Sequence, residues 1–172
     1  MGGLARKATL LDDLHSNIKN FYVVDAGNLF FKQDVIDPGI TTEVALINAD
    51  IIVKSFNEMG CTAFSPGSKD FAGGKNVLLS ISEIANFPFV SCNIYNKSNN
   101  QLLFDSYIIK HQNGIRIAFI GLSSIFDSQD VVVKNPLEAL EDVLVELNSK
   151  SDITLLLFSS NDTDIKAIQN KR

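Results

Sequence analysis

Three short stretches of this 172-residue chain place polar side chains where an apolar run stops. The first, "FYVVDAGN" at 21–28, ends in Asp25, Gly27 and Asn28. The second, "AFSPGSKDF" at 63–71, offers Ser65, Gly67, Ser68, Lys69 and Asp70. The third follows "DITLLLF" with Ser159, Ser160, Asn161 and Asp162. Ligands of open α/β sheets sit outside the carboxyl ends of parallel strands, so these residues form the convergent polar cluster of the chain. A zinc, manganese or iron site wants imidazole, thiolate or carboxylate, and a paired site wants a bridging carboxylate. The first two stretches supply Asp25 and Asp70 but no histidine or cysteine, and Lys69 adds a cation that opposes metal binding.

Other chemistries fit less well. "GSKDFAGGKN" has three glycines and two lysines, yet Lys69 precedes Gly74 by five residues and Asn76 follows Lys75, so the phosphate-loop spacing is missed. No G-x-G-x-x-G follows a strand, and "GLSS" lacks the G-x-S-x-G of a nucleophile elbow. Ser68 beside Lys69 reads as a solvated loop pair ahead of an activated nucleophile. Asp25 is as suited to bonding loop amides as to chemistry. His15 and His111 lie away from the cluster and are expected to be surface or packing residues. Cys61 and Cys92 sit in apolar surroundings and are expected to be buried thiols rather than a disulfide.

Composition bounds the rest. At 45% apolar and 20% charged residues the chain is globular, and its length suits one domain spanning 1–172. A net charge of −5 gives no basic footprint for nucleic acid or anionic lipid. No apolar run approaches the ~18 residues of a membrane span. The start, "MGGLARKATLLDDL", lacks the apolar core of a secretory signal, so the expected location is cytoplasmic, or periplasmic or exported if an upstream signal has been removed.

Helical and extended patterns alternate along the chain. Leu4, Ala8, Leu11, Leu14 and Ile18 recur at helical spacing, and "FYVVDA" follows as a buried strand. "TTEVALINADIIVKSFNEMG" opens on a threonine cap, carries Val44, Ile47, Ile51 and Ile52 on its expected inner side, and closes at Gly60. "CTAFS" is a strand, "KNVLLSISEIAN" a helix and "FPFVSCNIY" a third strand. "LLFDSYIIKH" and "IRIAFIGL" flank "QNG" as a hairpin. "NPLEALEDVLVELNSK" is a helix capped by Asn135, with Leu137, Leu140, Leu144 and Leu147 inward. "DITLLLF" is a further buried strand, and "NDTDIKAIQN" opens a last helix. The pattern is a layered α/β domain with parallel strands. It opens on a helix and stops just inside one, so both ends are expected to be cuts through a larger unit.

At this point the quoted motifs fall into a known order. "GGLARKATLL", "VVDAGNLFF", "PGSKDFAGG" and "NFPFVSCNIYNKSNNQLLFDSYIIKHQNGIRIAFIGLSS" resemble, in order and spacing, the catalytic domain of bacterial 5′-nucleotidases and UDP-sugar hydrolases, within the calcineurin-like metallophosphoesterase superfamily. The resemblance implies a layered α/β/β/α sandwich, partial here. In the family it holds two divalent metals at the strand ends. It also implies that an Asp-x-His strand precedes the "GGLAR" helix, and that a Gly-His-x-His-type segment and a nucleotide-recognition domain lie beyond Arg172.

Set against the family pattern, the site positions differ. Gly27-Asn28 stands where the family has Gly-Asp with its metal-bridging carboxylate. Gly67-Ser68-Lys69-Asp70-Phe71-Ala72 stands for Gly-Asn-His-Glu-Phe-Asp. Ser68 thus replaces a metal ligand, Lys69 the catalytic histidine and Ala72 the aspartate that orients it. Ser159 falls where a liganding histidine would end the late strand. The resemblance therefore implies a degenerate domain with no metal cofactor, in which Asn28, Ser68 and Lys69 hold phosphate or a nucleotide weakly. A structural role beside another domain or protein partner is open, and the alternative is a metal-dependent nucleotide phosphohydrolase completed by segments outside this chain.

Overall fold

Two period-two strands and the helices beside them explain the layering. The computed structural model describes residues 3–160 and 162–170. Along the chain run α1 (Leu4–Asn17), β1 (Val23–Asp25), α2 (Thr42–Glu58), β2 (Cys61–Phe64), a 3-10 turn (Ser68–Phe71) and α3 (Lys75–Ile84). There follow β3 (Ile94–Asn96), β4 (Tyr107–Gln112), β5 (Ile115–Ser123), β6 (Val131–Val133), α4 (Pro136–Leu147), β7 (Ile153–Ser159) and α5 (Asp162–Gln169). The Thr41 hydroxyl accepts the Val44 N–H at 3.3 Å to start α2, and Gly60 takes a φ of +69° just past its end. Asn135 caps α4 by accepting the Leu137 N–H at 2.9 Å, with Pro136 as the first helical residue.

β1 and β2 pair in parallel, and a bridge from Phe64 to Phe89 extends that sheet. β4, β5 and β7 form the second sheet, antiparallel across the hairpin and parallel between β5 and β7. Asn113 and Gly114 turn the hairpin at φ +53° and +80°, as a two-residue turn with both centres left-handed requires. Along β5, Ala118, Ile120 and Leu122 face Leu140, Val143 and Leu147 of α4. The alternate residues Ile117 and Phe119 face Ala63 and Val90 of the first sheet. On the far side of that sheet, α1, α2 and α3 pack over Phe64 and Phe89. The order is helix, sheet, sheet, helix, as the resemblance implies. Gly121 is obligatory where the sheets touch, because a Cβ there would lie 1.9 Å from the Val90 carbonyl oxygen.

Several expectations change in detail. The inner side of α2 is Ala45, Ala49, Val53 and Phe56, while Val44, Ile47 and Ile51 are exposed and Ile52 is half-buried. Both stripes are apolar, so periodicity alone cannot choose between them, and the small alanines let the helix sit close to its neighbours. In α4, Val143 joins Leu140 and Leu147 in the core, while Leu144 is exposed. β7 is an edge strand: Ile153 and Leu155 are exposed, and burial begins only toward Leu157. The stretch "FPFVSCNIY" is regular only at β3, which pairs antiparallel with β6, a pairing the sequence did not announce. Ile18 falls beyond α1 and is exposed.

The α4 face is testable by truncation. Val143→Ala should lower the unfolding free energy by about 2 kcal/mol, and Leu144→Ala by less than about 1 kcal/mol, read by urea denaturation. The reverse order would place the wrong side of α4 on the sheet.

Candidate functional site

The site begins with a buried carboxylate turned toward the backbone. Asp70, on the 3-10 turn, is fully buried and accepts four backbone N–H groups. Oδ2 takes those of Asn28 at 2.7 Å and Gly67 at 2.9 Å. Oδ1 takes those of Leu29 at 2.7 Å and Phe30 at 2.9 Å. All its lone-pair positions are spoken for, which holds the loop after β1 against the loop after β2. Burial pushes its carboxyl up to about 6, against the pull of the four amide donors.

Asp25 is also turned inward on its own loop. Its Oδ1 accepts the Gly27 N–H at 3.0 Å, and Oδ2 lies 3.7 Å from Lys7 Nζ. Burial raises its carboxyl, while the Gly27 amide and Lys7 lower it. Of its two earlier readings, amide bonding is the one the structure displays. Ser65 fixes the second sheet: its hydroxyl accepts the Leu122 N–H at 3.1 Å and reaches the Leu122 carbonyl at 3.4 Å. Asn93 holds the end of β5 by accepting the Ser123 N–H at 3.1 Å and donating to the Ser123 carbonyl at 2.7 Å.

These ties bring Asn28, Gly67 and Ser159 together. Asn28 adopts a left-handed φ of +57°, which asparagine tolerates better than most residues. Its Oδ1 accepts the Lys69 N–H at 3.0 Å, and its Nδ2 faces Ser159 Oγ at 3.5 Å. A Cβ on Gly67 would lie 2.1 Å from that hydroxyl and 2.8 Å from Asn28 Oδ1. Asn28, Ser68 and Ser159 line one cleft of about 250 Å³, together with Ser123, Ser124 and Ser160. The Ser124 hydroxyl bonds the Asp164 carboxylate of α5.

The remaining expected residues are placed apart. Lys69 lines a separate cavity of about 560 Å³, of which Asn28 forms a shared wall. Ala72 lines a third, of about 840 Å³, with Ser68, Asp127 and Asp130. Asn161 lies outside the described residues. His15 stacks edge-on against Phe21 at 4.3 Å, His111 is exposed on β4, and both cysteines are free, with Cys92 buried and Cys61 half-buried. Ser123 and Ser124 were missed as site residues. The available clue was topological: β5 runs parallel to β7, so both end at the same edge.

The described donors of the cleft are one amide and five hydroxyls. Among the described residues, no three His, Cys, Asp or Glu side chains gather as a metal site. That set does not fit a pair of divalent ions, which needs anionic or imidazole ligands and a bridging carboxylate. Two of the hydroxyls are engaged within the protein, Ser123 donating to the Ser124 carbonyl at 3.1 Å and Ser124 to Asp164.

Two sheets facing each other between helices, with a polar cleft at the strand ends, match the fold of solved calcineurin-like phosphoesterase and nucleotidase structures. The solved Bacillus subtilis calcineurin-like phosphoesterase YfkN superposes with a TM-score of 0.74 at 19% identity, over 91% of this chain and 53% of its own. The Haemophilus influenzae NAD nucleotidase superposes with a TM-score of 0.80 at 21% identity, over 98% of this chain and 30% of its own. A 5′-nucleotidase of Vibrio cholerae is 30% identical over 164 residues, covering 90% of this chain. The chain carries a 5′-nucleotidase-family domain and spans 29% of the length of that relative. No family model matches it. Among the described residues, no helix is long and apolar enough to cross a membrane.

Asp70 generates a prediction of its own. In Asp70→Asn, the amide Nδ2 would point a donor at two backbone N–H groups, and the unfolding free energy should fall by about 2–4 kcal/mol. The pH dependence has a defined sign. A carboxyl at about 6 in the folded chain, above its ordinary 3.8, binds extra protons in the native state. Its contribution is therefore complete below pH 3.8 and is lost as pH rises through about 6, a change of about 3 kcal/mol. Urea denaturation between about pH 4 and pH 7 should show this slope in the wild type and not in Asp70→Asn.

Proposed function

We propose that this chain is a 5′-nucleotidase-family domain that does not carry out metal-dependent hydrolysis and retains weak affinity for phosphate or a nucleotide phosphate through Asn28, Ser68 and Lys69. The observation that carries it is the state of Asn28. A neutral amide, engaged by the Lys69 N–H on one side and facing Ser159 on the other, occupies the position where the family resemblance implies a bridging carboxylate. Asp70 and Asp25 are committed to backbone amides, and Asp164 takes the Ser124 hydroxyl. An oxyanion in the cleft would meet hydroxyl donors and the field of Lys69 from across the Asn28 wall.

The competing reading is an active phosphohydrolase completed by segments outside this chain, and the short span relative to the Vibrio cholerae relative favours it. A role as a docking module for another domain or protein draws on the same fact. The expected cytoplasmic location has no support from the relatives, and the exported alternative is the one we carry forward.

Metal analysis of the purified chain, with p-nitrophenyl phosphate turnover measured with and without added Mn²⁺, separates the two. The expected result is substoichiometric metal and no Mn²⁺-dependent turnover. Two bound transition ions with metal-dependent turnover would establish the active reading. Calorimetric titration of phosphate and AMP should show weak binding that Lys69→Ala diminishes. Identical silence in both proteins removes the anion site.

A further inference from the structure

Lys69 and Ser68 are neighbours in sequence but line different spaces. The 560 Å³ cavity that holds Lys69 lies between the start of α1, the loop after β1 and α2. Its walls are largely apolar, with Leu4, Leu29, Ile36, Ile40 and Ile52 contributing. Exposed apolar side chains, Val35 at 62% and Ile51 at 51%, continue this surface at its border. Two cations border it, Lys32 and Lys69, against one carboxylate, Asp37. Lys69 is half-buried, and among the described residues no carboxylate lies within ion-pair distance of its ammonium.

That combination selects a ligand. An ammonium at the border of apolar walls, with no carboxylate in ion-pair distance, favours an anion beside it. Inorganic phosphate would use the cation and leave the apolar walls wet. An uncharged apolar molecule would cover the walls and leave the cation unmatched. A compound with one anionic head and an apolar body uses both, and the volume lies within the range of small-molecule pockets, roughly 300–1,000 Å³.

We propose that the cavity lined by Lys69, Ile40 and Ile52 binds a small organic monoanion with an apolar body, a medium-chain or aryl carboxylate, with its head on Lys69. The proposal deepens the anion reading of Lys69 given above and rests on it only in taking Lys69 as an anion partner. It differs in cavity and in ligand class.

Calorimetry with octanoate, butyrate, octanol and inorganic phosphate tests it on the wild type, Lys69→Met and Ile40→Ser. Both substitutions fall on partly exposed positions, and circular dichroism checks that the variants fold. Octanoate should bind saturably and at least about tenfold more tightly than butyrate, since each buried methylene contributes about fourfold. Lys69→Met should weaken octanoate at least about tenfold while phosphate fails to displace it, and Ile40→Ser should weaken octanoate more than butyrate. Octanoate affinity unchanged in Lys69→Met, octanol binding as tightly as octanoate, or no saturable octanoate binding would each overturn the proposal. Phosphate binding that depends on Lys69 with no chain-length effect would overturn it and keep the phosphate reading. Octanoate binding lost in Lys69→Met while phosphate binding persists unchanged would support the proposal and remove Lys69 from the phosphate site.

Discussion

The buried carboxylate of Asp70 is the constraint on which the site depends. Four backbone N–H groups from two loops point at its two oxygens. Left unpaired in this interior, each would cost about 1–3 kcal/mol, so the Asp70 carboxylate answers donors that the two loops would otherwise bury unmet. The strand ends are thus held in place by hydrogen bonds within the protein. Asn28 adds a side-chain tie between the same loops by accepting the Lys69 N–H. The acid at position 70 holds the loops whatever the cleft binds.

The same network explains why a neutral residue suits position 28. The Asn28 backbone amide already serves Asp70, so its side chain projects from a loop anchored to an acid. A carboxylate at 28 would add a second negative charge beside the loop that Asp70 holds. Asparagine keeps the left-handed backbone and the acceptor for the Lys69 N–H without that charge. Gly67 completes the arrangement, because no side chain fits between Asn28 and Ser159.

How much of this was legible in the sequence depended on whether a residue's role is local. The capped start of α4 at Asn135-Pro136, the Asn113-Gly114 hairpin and the termini of β1 and β2 follow from neighbours in sequence, and they appear where the pattern places them. Which stripe of α2 is buried is a tertiary matter: Val44, Ile47 and Ile51 are as apolar as Val53 and Phe56, and only the sheet decides. The β3–β6 pair was illegible because three-residue strands carry too little alternation to show. In the site, the meeting of Asn28 with Ser159 was legible from strand ends. The burial of Asp70 was not, since an acid in a Gly-Ser-Lys-Asp loop reads as solvated until the amides that surround it come from 40 residues away.

The separation of Ser68 from Lys69 follows from the geometry of the turn that carries them. On a 3-10 turn, with three residues per turn, successive side chains point about 120° apart. Asn28 accepts the Lys69 backbone N–H and lines both spaces. Ser68 therefore lines the cleft of hydroxyls with Ser159, and Lys69 lines the apolar cavity beside α2. Two adjacent substitutions relative to the family pattern thus act on two separate spaces. Ser68 belongs to a polar cleft, whereas Lys69 brings an ammonium to a cavity whose walls are largely apolar. The two positions share a peptide bond and face two spaces that meet at Asn28.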